Sequence, residues 1–214
     1  MKEKLLRVVI LMVGLTIAHF GVTLFLLSDL GADPFNVLVQ GIFRTTGGLS
    51  GAGFLTHGNV HRILCFLIIL VLLVVDRKYI KIGTILCMFC GGSIIDFFTI
   101  ILSGIFAAFP MLWFKVIMLA LGCVILAFGM TIVIKSDAGT GPNDLVALVI
   151  SEKTSIKFSI VRVVTDVLFV IVGFILGGVF GAGTIICACL VGPVADRLLP
   201  VSEKLVNTCL NRFN

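Results

Sequence analysis

Four of the chain's 11 acidic residues stand in two short segments that share one pattern: Ser28-Asp-Leu-Gly-Ala-Asp-Pro34-Phe-Asn36 and, 108 residues later, Ser136-Asp-Ala-Gly-Thr-Gly-Pro142-Asn-Asp144. Both follow a long apolar run, and both hold a glycine and a proline that a continuous membrane helix avoids, so each reads as a break. Pro34 and Pro142 suit the first position of a new helix, where the missing N–H has no partner to lose, with Asp33 and Gly141 as N-caps. Two chemistries follow. The N-terminal N–H groups of the two new helices carry partial positive charge and could seat a carboxylate or another anion. Asp29, Asp33, Asp137 and Asp144, with Asn36 and Asn143 beside them, could instead coordinate a proton, a metal cation or a substrate amine. The plainer alternative is that these side chains cap helix ends and satisfy loop backbone. The candidate substrate- or ion-binding residues of the breaks are therefore Asp29, Asp33, Pro34, Asn36, Asp137, Gly139, Pro142, Asn143 and Asp144.

Arg162 and Asp166 extend this set. Four apart, they share a helix face inside an apolar run, and an ionisable residue at membrane depth is by default a functional-site hypothesis. The alternative is a snorkelling arginine with a structural partner. The first half keeps Arg62 but has Phe66 where the second has Asp166, so acid chemistry here is one-sided. Asp96 and Asp196, each one turn after a glycine (Gly92 and Gly192), are read as the ends of two spans, and so as gate candidates or solvated helix termini. Cys87-Met-Phe-Cys90 has redox or metal spacing, but it lies in an apolar run without His or Lys nearby to activate a thiol. His19, in mid-span, is expected to be bonded to a partner. No catalytic residue, metal site or cofactor is expected, and nothing resembles a nucleotide-binding loop, so the chain is read as neither an enzyme nor an ATPase.

Membrane helices must position these residues. Charged residues make up 13% of the chain and mean hydropathy is +1.24, whereas soluble domains run near ~25% charged. Apolar runs reach the ~20 residues that cross a bilayer as a helix, without a strand-like period of two. Six spans are predicted, at about 5–27, 60–75, 82–106, 111–134, 158–176 and 183–199. After the first break a short helix is expected to about Arg44 and then a Gly/Thr/Ser-rich loop over 45–58. After the second break a short helix is expected to about Glu152, and residues 201–214 form an amphipathic or frayed tail. The first apolar run is too long for a signal peptide and lacks a small-x-small cleavage site. The seven cysteines lie almost wholly within spans and read as small apolar fillers rather than disulfides. The net charge of +5 is spread singly over helix ends, not along a stripe with aromatics, which argues against nucleic acid.

Sliding the chain on itself by 108 matches Gly14/Gly122, Phe20/Phe128, Gly21/Gly129, Thr23/Thr131 and the break residues; sliding by 100 matches Arg62/Arg162, Gly83/Gly183, Thr84/Thr184, Cys87/Cys187 and Asp96/Asp196. Two repeats follow, 1–106 and 107–200, ahead of the 201–214 tail and within a single membrane domain, 1–214. Each holds three spans, an odd number, so the second enters the bilayer upside down. With the N-terminus inside, 13 of the 16 Lys and Arg residues fall in inside segments and only Arg44, Arg62 and Lys115 outside, as the positive-inside rule requires. The glycines at 14, 21, 122 and 129 predict close helix packing. The expected fold class is all-α: a polytopic membrane helix bundle of six transmembrane helices plus two short broken or re-entrant helices, in two inverted three-span repeats.

At these residues the sequence resembles the YczE/YyaS/YitT family of bacterial membrane proteins, most closely its YczE-like branch. The resemblance rests on Gly31-Ala-Asp-Pro34-Phe-Asn36-Val-Leu, similar to the family's Gly-x-Gly-Pro-Trp-Asp-Val-like element, and on Ile82-Gly-Thr84 running to Gly92 and Ile95-Asp96. The second half adds Gly139-Thr-Gly-Pro142-Asn-Asp144, the Arg162-x-x-x-Asp166 pair that resembles a basic-x-x-x-acidic element, and Gly181-Ala-Gly-Thr184 running to Gly192-Pro193. Asp33 replaces a glycine of the family pattern, Phe35 its tryptophan, and Cys87 and Cys187 a polar amide. The resemblance implies the fold and the repeat rather than an activity.

Paired interrupted segments in corresponding halves point to a transporter's binding site. The expected function is thus a secondary transporter or permease for a small solute, bound between the repeats at the paired breaks. A substrate-capturing membrane subunit of an ATP-driven importer and an integral membrane redox or accessory protein are the alternatives. Expected partners are the lipid bilayer, a small-molecule solute, and a homodimer mate or accessory subunit, with no nucleic acid. The expected location is the cytoplasmic membrane, multi-pass, with both termini cytoplasmic.

Overall fold

The computed structural model describes residues 2–31, 33–50 and 57–213. Among them eight α-helices follow one another: α1 (Lys2–Leu27), α2 (Pro34–Ser50), α3 (His57–Val75), α4 (Ile82–Ala108), α5 (Leu112–Lys135), α6 (Pro142–Thr154), α7 (Phe158–Ile175) and α8 (Ala182–Phe213), with one 3₁₀ turn at Arg77–Tyr79. Helices α1, α4, α5, α7 and α8 are long and apolar enough to cross a membrane, and the apolar stretch of α3, Val60–Val75, is shorter. Ile100 and Ile175 stand 78% and 77% exposed on the outside of the bundle, a placement that water penalises and hydrocarbon does not. The fold is a polytopic helical bundle.

Its centre is the α1/α5 pair, and glycine sets how near the two helices come. A Cβ on Gly21 would lie 2.4 Å from the backbone nitrogen of Leu126, and one on Gly129 2.2 Å from that of Ala18. Gly14 faces Val133 and Gly122 faces Phe25. Early residues of α1 therefore meet late residues of α5, and the two helices run antiparallel. The small-residue contact lets the backbones approach where side chains would hold them apart. Around it packs a core of Phe25, Leu119, Met130, Val161, Cys187 and Val191.

The two breaks repeat one backbone design. Ser28 and Ser136 turn their hydroxyls back onto the carbonyls of Phe25 and Val133, each at 2.6 Å. Asp29 and Asp137 take φ of 55° and 58°, and Gly31 and Gly139 take 132° and 138°, a region that essentially only glycine tolerates. Each break then docks on the opposite half of the chain. Gly83 N–H donates to the Ala138 carbonyl at 2.9 Å, and Gly183 N–H donates to the Leu30 carbonyl at 2.8 Å. The positions matched by the 108- and 100-residue offsets thus make matching, reciprocal bonds.

Three expectations are corrected. Helix α2 does not stop near Arg44 but runs to Ser50, and α3 starts at His57, so much of the expected 45–58 loop is helical; residues 51–56 lie outside the described residues. The Thr45 and Thr46 hydroxyls bond the carbonyls of Gly41 and Ile42 one turn back, and Arg44 and Thr45 bond the carbonyls of Gly177 and Leu176 past the end of α7. Those tertiary contacts override a composition that reads as loop. Helix α8 does not end at residue 199; it continues through Pro193 and Pro200 to Phe213. Its last turns are amphipathic rather than frayed, with Val206 and Leu210 packed on Ile132 beside Leu6 and Ile10, and Ser202 Oγ 2.7 Å from Thr131 Oγ1. Asp96 falls inside α4, and Asp196, because α8 continues, falls inside α8; neither is at a helix end. The side chain of Asp96 lies outside the described residues, and Asp196 is half-buried.

Candidate functional site

The starts of α2 and α6 build the site. Asp33 is the N-cap of α2: its carbonyl accepts from Val37 N–H at 2.9 Å, and its carboxylate accepts from Asn36 N–H at 3.2 Å and from Asn36 Nδ2 at 2.6 Å. A carboxylate that takes a third-position N–H is the standard way to satisfy a helix start. Gly141 caps α6 through its carbonyl, which accepts from Leu145 N–H at 2.8 Å. Asp144 then occupies the third position of α6, and its Oδ1 accepts from Asn143 Nδ2 at 3.0 Å. Both helix starts thus already hold a carboxylate of the chain.

Arg162 of α7 joins the two acids of the second half. Its Nη1 donates to Asp144 Oδ1, and its Nε donates to Asp166 Oδ2 at 3.0 Å. The three side chains are deeply buried, with 8% of Arg162, 17% of Asp144 and 1% of Asp166 exposed. A charge trio at this depth survives only because each member is paired, and the arginine fork can serve two acids at once.

These groups meet at one central cavity of about 90 Å³, lined by Asp33, Asn36, Pro142, Asn143, Asp144 and Arg162 among others. His19 of α1 and His61 of α3 also line it. His19 Nδ1 lies 2.8 Å from the Leu15 carbonyl, so that nitrogen carries the proton, and the His61 ring stands edge-on to Phe35 at 5.2 Å. Asp166 lies behind Arg162, and Pro34 is buried at the head of α2. The structure therefore brings the two breaks together, one from each half, although 108 residues separate them.

Asp29, Asp137 and Gly139 lie elsewhere. Asp29 is exposed. Asp137 and Gly139 line a second cavity of about 540 Å³ with Lys78, Lys81, Lys135 and Glu152. There Asp137 accepts from Lys81 Nζ and lies 3.9 Å from Arg7 Nη1, while Lys135 pairs with Glu203 at 2.7 Å. Among the described residues the two cavities share no lining residue. The second break is the partition between them, with Asp137 to Thr140 on one side and Gly141 to Asp144 on the other.

Residues 5–199 match a family model described as "Family of unknown function (DUF6198)". The chain belongs to this family. This DUF6198 chain is 31% identical over 212 residues to the "Uncharacterized membrane protein YczE" of Bacillus subtilis (strain 168), over 99% of this chain and 94% of that protein. It is 28% identical to an "Uncharacterized protein" of Haemophilus influenzae (strain ATCC 51907 / DSM 11121 / KW20 / Rd), over 92% of this chain and 84% of that one. It is 25% identical to the "Uncharacterized protein YyaS" of Bacillus subtilis (strain 168), over 90% and 92%. No solved structure matches. The YczE-like resemblance therefore holds over nearly the whole chain, and with five membrane-length apolar helices the DUF6198 chain is a membrane protein.

Within this DUF6198 fold, sequence spacing identified Arg162 with Asp166 but not Arg162 with Asp144. Those two are 18 residues apart, with a helix end and a turn between them, and no periodicity links them. His61 carried no signal beyond lying next to Arg62. The slide by 108 did place Asn36 opposite Asp144, so the repeat offset was the clue that both helix starts share one site.

Proposed function

We propose that this protein is a secondary transporter or permease for a small solute, and that the central cavity is its binding site. One observation carries the reading: two interrupted segments, one in each half, bring the first turns of α2 and α6 to the same buried cavity beside an intramembrane charge trio. Half-helix starts that converge from corresponding halves of a membrane protein are the usual architecture of such a site. The antiparallel α1/α5 pair and the reciprocal bonds Gly83 to Ala138 and Gly183 to Leu30 support an inverted relation of the halves. The gathering of Arg7, Lys78, Lys81 and Lys135 around the second cavity supports placing that end of the bundle at the cytoplasmic face. On this reading the protein is no enzyme, the membrane is the cytoplasmic one, and both termini are inside.

The test is uptake by proteoliposomes that contain only the purified protein and no ATP, with solutes first chosen by their stabilisation of the detergent-solubilised protein. ATP-independent uptake of a stabilising solute, lowered at least about tenfold in Asn143→Ala, is expected. Solutes that bind but never cross, together with co-purification of an ATPase, would replace this reading by that of a substrate-capturing subunit.

A further inference from the structure

The larger cavity, on the far side of the second break, lies outside the proposed solute site. It measures about 540 Å³, within the ~300–1,000 Å³ range of pockets that hold organic ligands. Part of its lining is apolar: Ile134, Leu145, Leu148, Phe158 and Leu199. The rest is polar, and among the described residues that line it three ammonium groups (Lys78, Lys81, Lys135) stand against two carboxylates (Asp137, Glu152). Lys81 is paired with Asp137 and Lys135 with Glu203 at 2.7 Å, while Lys78 lies 3.8 Å from Asp76 and 4.7 Å over the Tyr79 ring. Ion pairs as exposed as these are weak enough to exchange partners, and an ammonium has further N–H donors to offer. Thr140 adds a separate observation. It lines the same cavity, is 2% exposed, and its Oγ1 has no hydrogen-bond partner among the described residues. A buried hydroxyl in that condition calls for a bond to something other than the chain.

The two halves differ at these groups. At the repeat positions of Lys78, Tyr79, Lys81, Lys135 and Thr140 stand Gly178, Val179, Gly181, Leu27 and Ala32, and at that of Glu152 stands Arg44; of the polar lining residues only Asp137 keeps its type, in Asp29. Asp29 and Gly31 take the same backbone conformation as Asp137 and Gly139 without them, so the fold of a break does not require this polar set. Sorting of cations across the membrane explains the lysines, but neither Tyr79 nor Thr140. The cavity also sits where spans end: Lys81 is the N-cap of α4 and Lys135 the last residue of α5. That is the depth of lipid headgroups. We infer that the larger cavity binds an anionic phospholipid, with the phosphate held by Lys78, Lys81, Lys135 and the Thr140 hydroxyl and the first acyl carbons laid on the apolar lining. An excess of one cation over the carboxylates of the lining fits a phosphodiester with a single negative charge, and the apolar lining disfavours a free polar anion.

This site does not depend on transport through the central cavity, and its test reads binding rather than flux. Purified protein in dodecyl maltoside micelles is melted with increasing mole fractions of phosphatidylglycerol or phosphatidylcholine, and separately with glycerol 3-phosphate, at fixed ionic strength. Phosphatidylglycerol should raise the melting temperature saturably, as a binder of the native state does, and phosphatidylcholine with the same chains should not. Lys78→Gln and Lys135→Gln should each raise the half-saturating mole fraction about fivefold, the effect of one lysine beside an anionic headgroup. Lys115→Gln, near the other end of α5, should leave it unchanged. Thr140→Val should melt no lower than the wild type without lipid, because the hydroxyl has no bond to lose, and should respond less to phosphatidylglycerol. The inference is overturned by equal responses to the two lipids, or by a response to phosphatidylglycerol that is unchanged in Lys78→Gln and Lys135→Gln or falls as far in Lys115→Gln. Stabilisation by glycerol 3-phosphate as great as that by the lipid overturns it as well, and would make the occupant a soluble anion.

Discussion

Arg162 serves two carboxylates, and that changes what its substitution should do. Arg162→Leu strands Asp144 and Asp166 together, and a broken buried pair typically costs ~3–5 kcal/mol. Adding Asp166→Leu removes one of the stranded charges, so the double variant should be more stable than Arg162→Leu alone, and the two changes should be strongly non-additive. Thermal unfolding in detergent reads both. Simple addition of the two losses would mean that Arg162 and Asp166 are not coupled as the 3.0 Å bond implies. Arg162→Lys should not rescue, because one ammonium cannot span the positions held by Nε and Nη1. This scale was half legible in the sequence: a four-residue spacing on a helix is a local property, whereas the Arg162–Asp144 contact depends on how α6 and α7 fold back on each other.

Among the elements, the breaks and the glycine contact between α1 and α5 decide the geometry. Gly129→Ala would push a methyl into the Ala18 backbone at 2.2 Å, and overpacking of this kind costs ~1–3 kcal/mol. Gly104 in α4 has open space around it, so Gly104→Ala should be neutral or slightly stabilising through helix propensity. Melting temperatures of the two variants should therefore move apart, and equal loss in both would show that glycine at 129 is not there for close approach. Gly139→Ala combines a φ of 138° with a Cβ 2.4 Å from Thr84 N, and it should cost more than Gly104→Ala by at least ~1 kcal/mol. Helix positions and both N-caps were legible because proline, glycine and apolar length are local signals. The true lengths of α2 and α8 were not, because Thr45, Arg44 and Val206 are held in helix by partners far along the chain.

At the scale of the whole molecule, repeat-related positions supply a direct test. Thr46 and Thr154 are 108 residues apart and both are exposed, Thr46 one turn before the end of α2 and Thr154 at the end of α6. In a cysteine-free background, Thr46→Cys should react with an impermeant thiol reagent from outside the cell and Thr154→Cys only after the inner face is opened. Labelling of both from one side would defeat the inverted arrangement. The expectation of a repeat comes from serine, aspartate, glycine and proline recurring in one order, and the orientation that this labelling tests comes from the sorting of cations between the two ends.

The ion pairs on the second break have a consequence for balance. Lys81 and Arg7 hold Asp137, whereas at the first break Gly181 stands at the repeat position of Lys81 and, although Lys115 stands at that of Arg7, Asp29 makes no ion pair among the described residues. Two identical halves would give a carrier equally at rest facing either side. A clasp on one break alone tilts that rest. Exposed pairs are worth at most ~1 kcal/mol each, which is about a fivefold bias in population, and added salt weakens it. Lys81→Gly, which copies the second half, should bring inward and outward flux rates in oriented vesicles closer to equality at low salt and change little at high salt. The chain's departure from its own repeat would then be what makes it a rectifier.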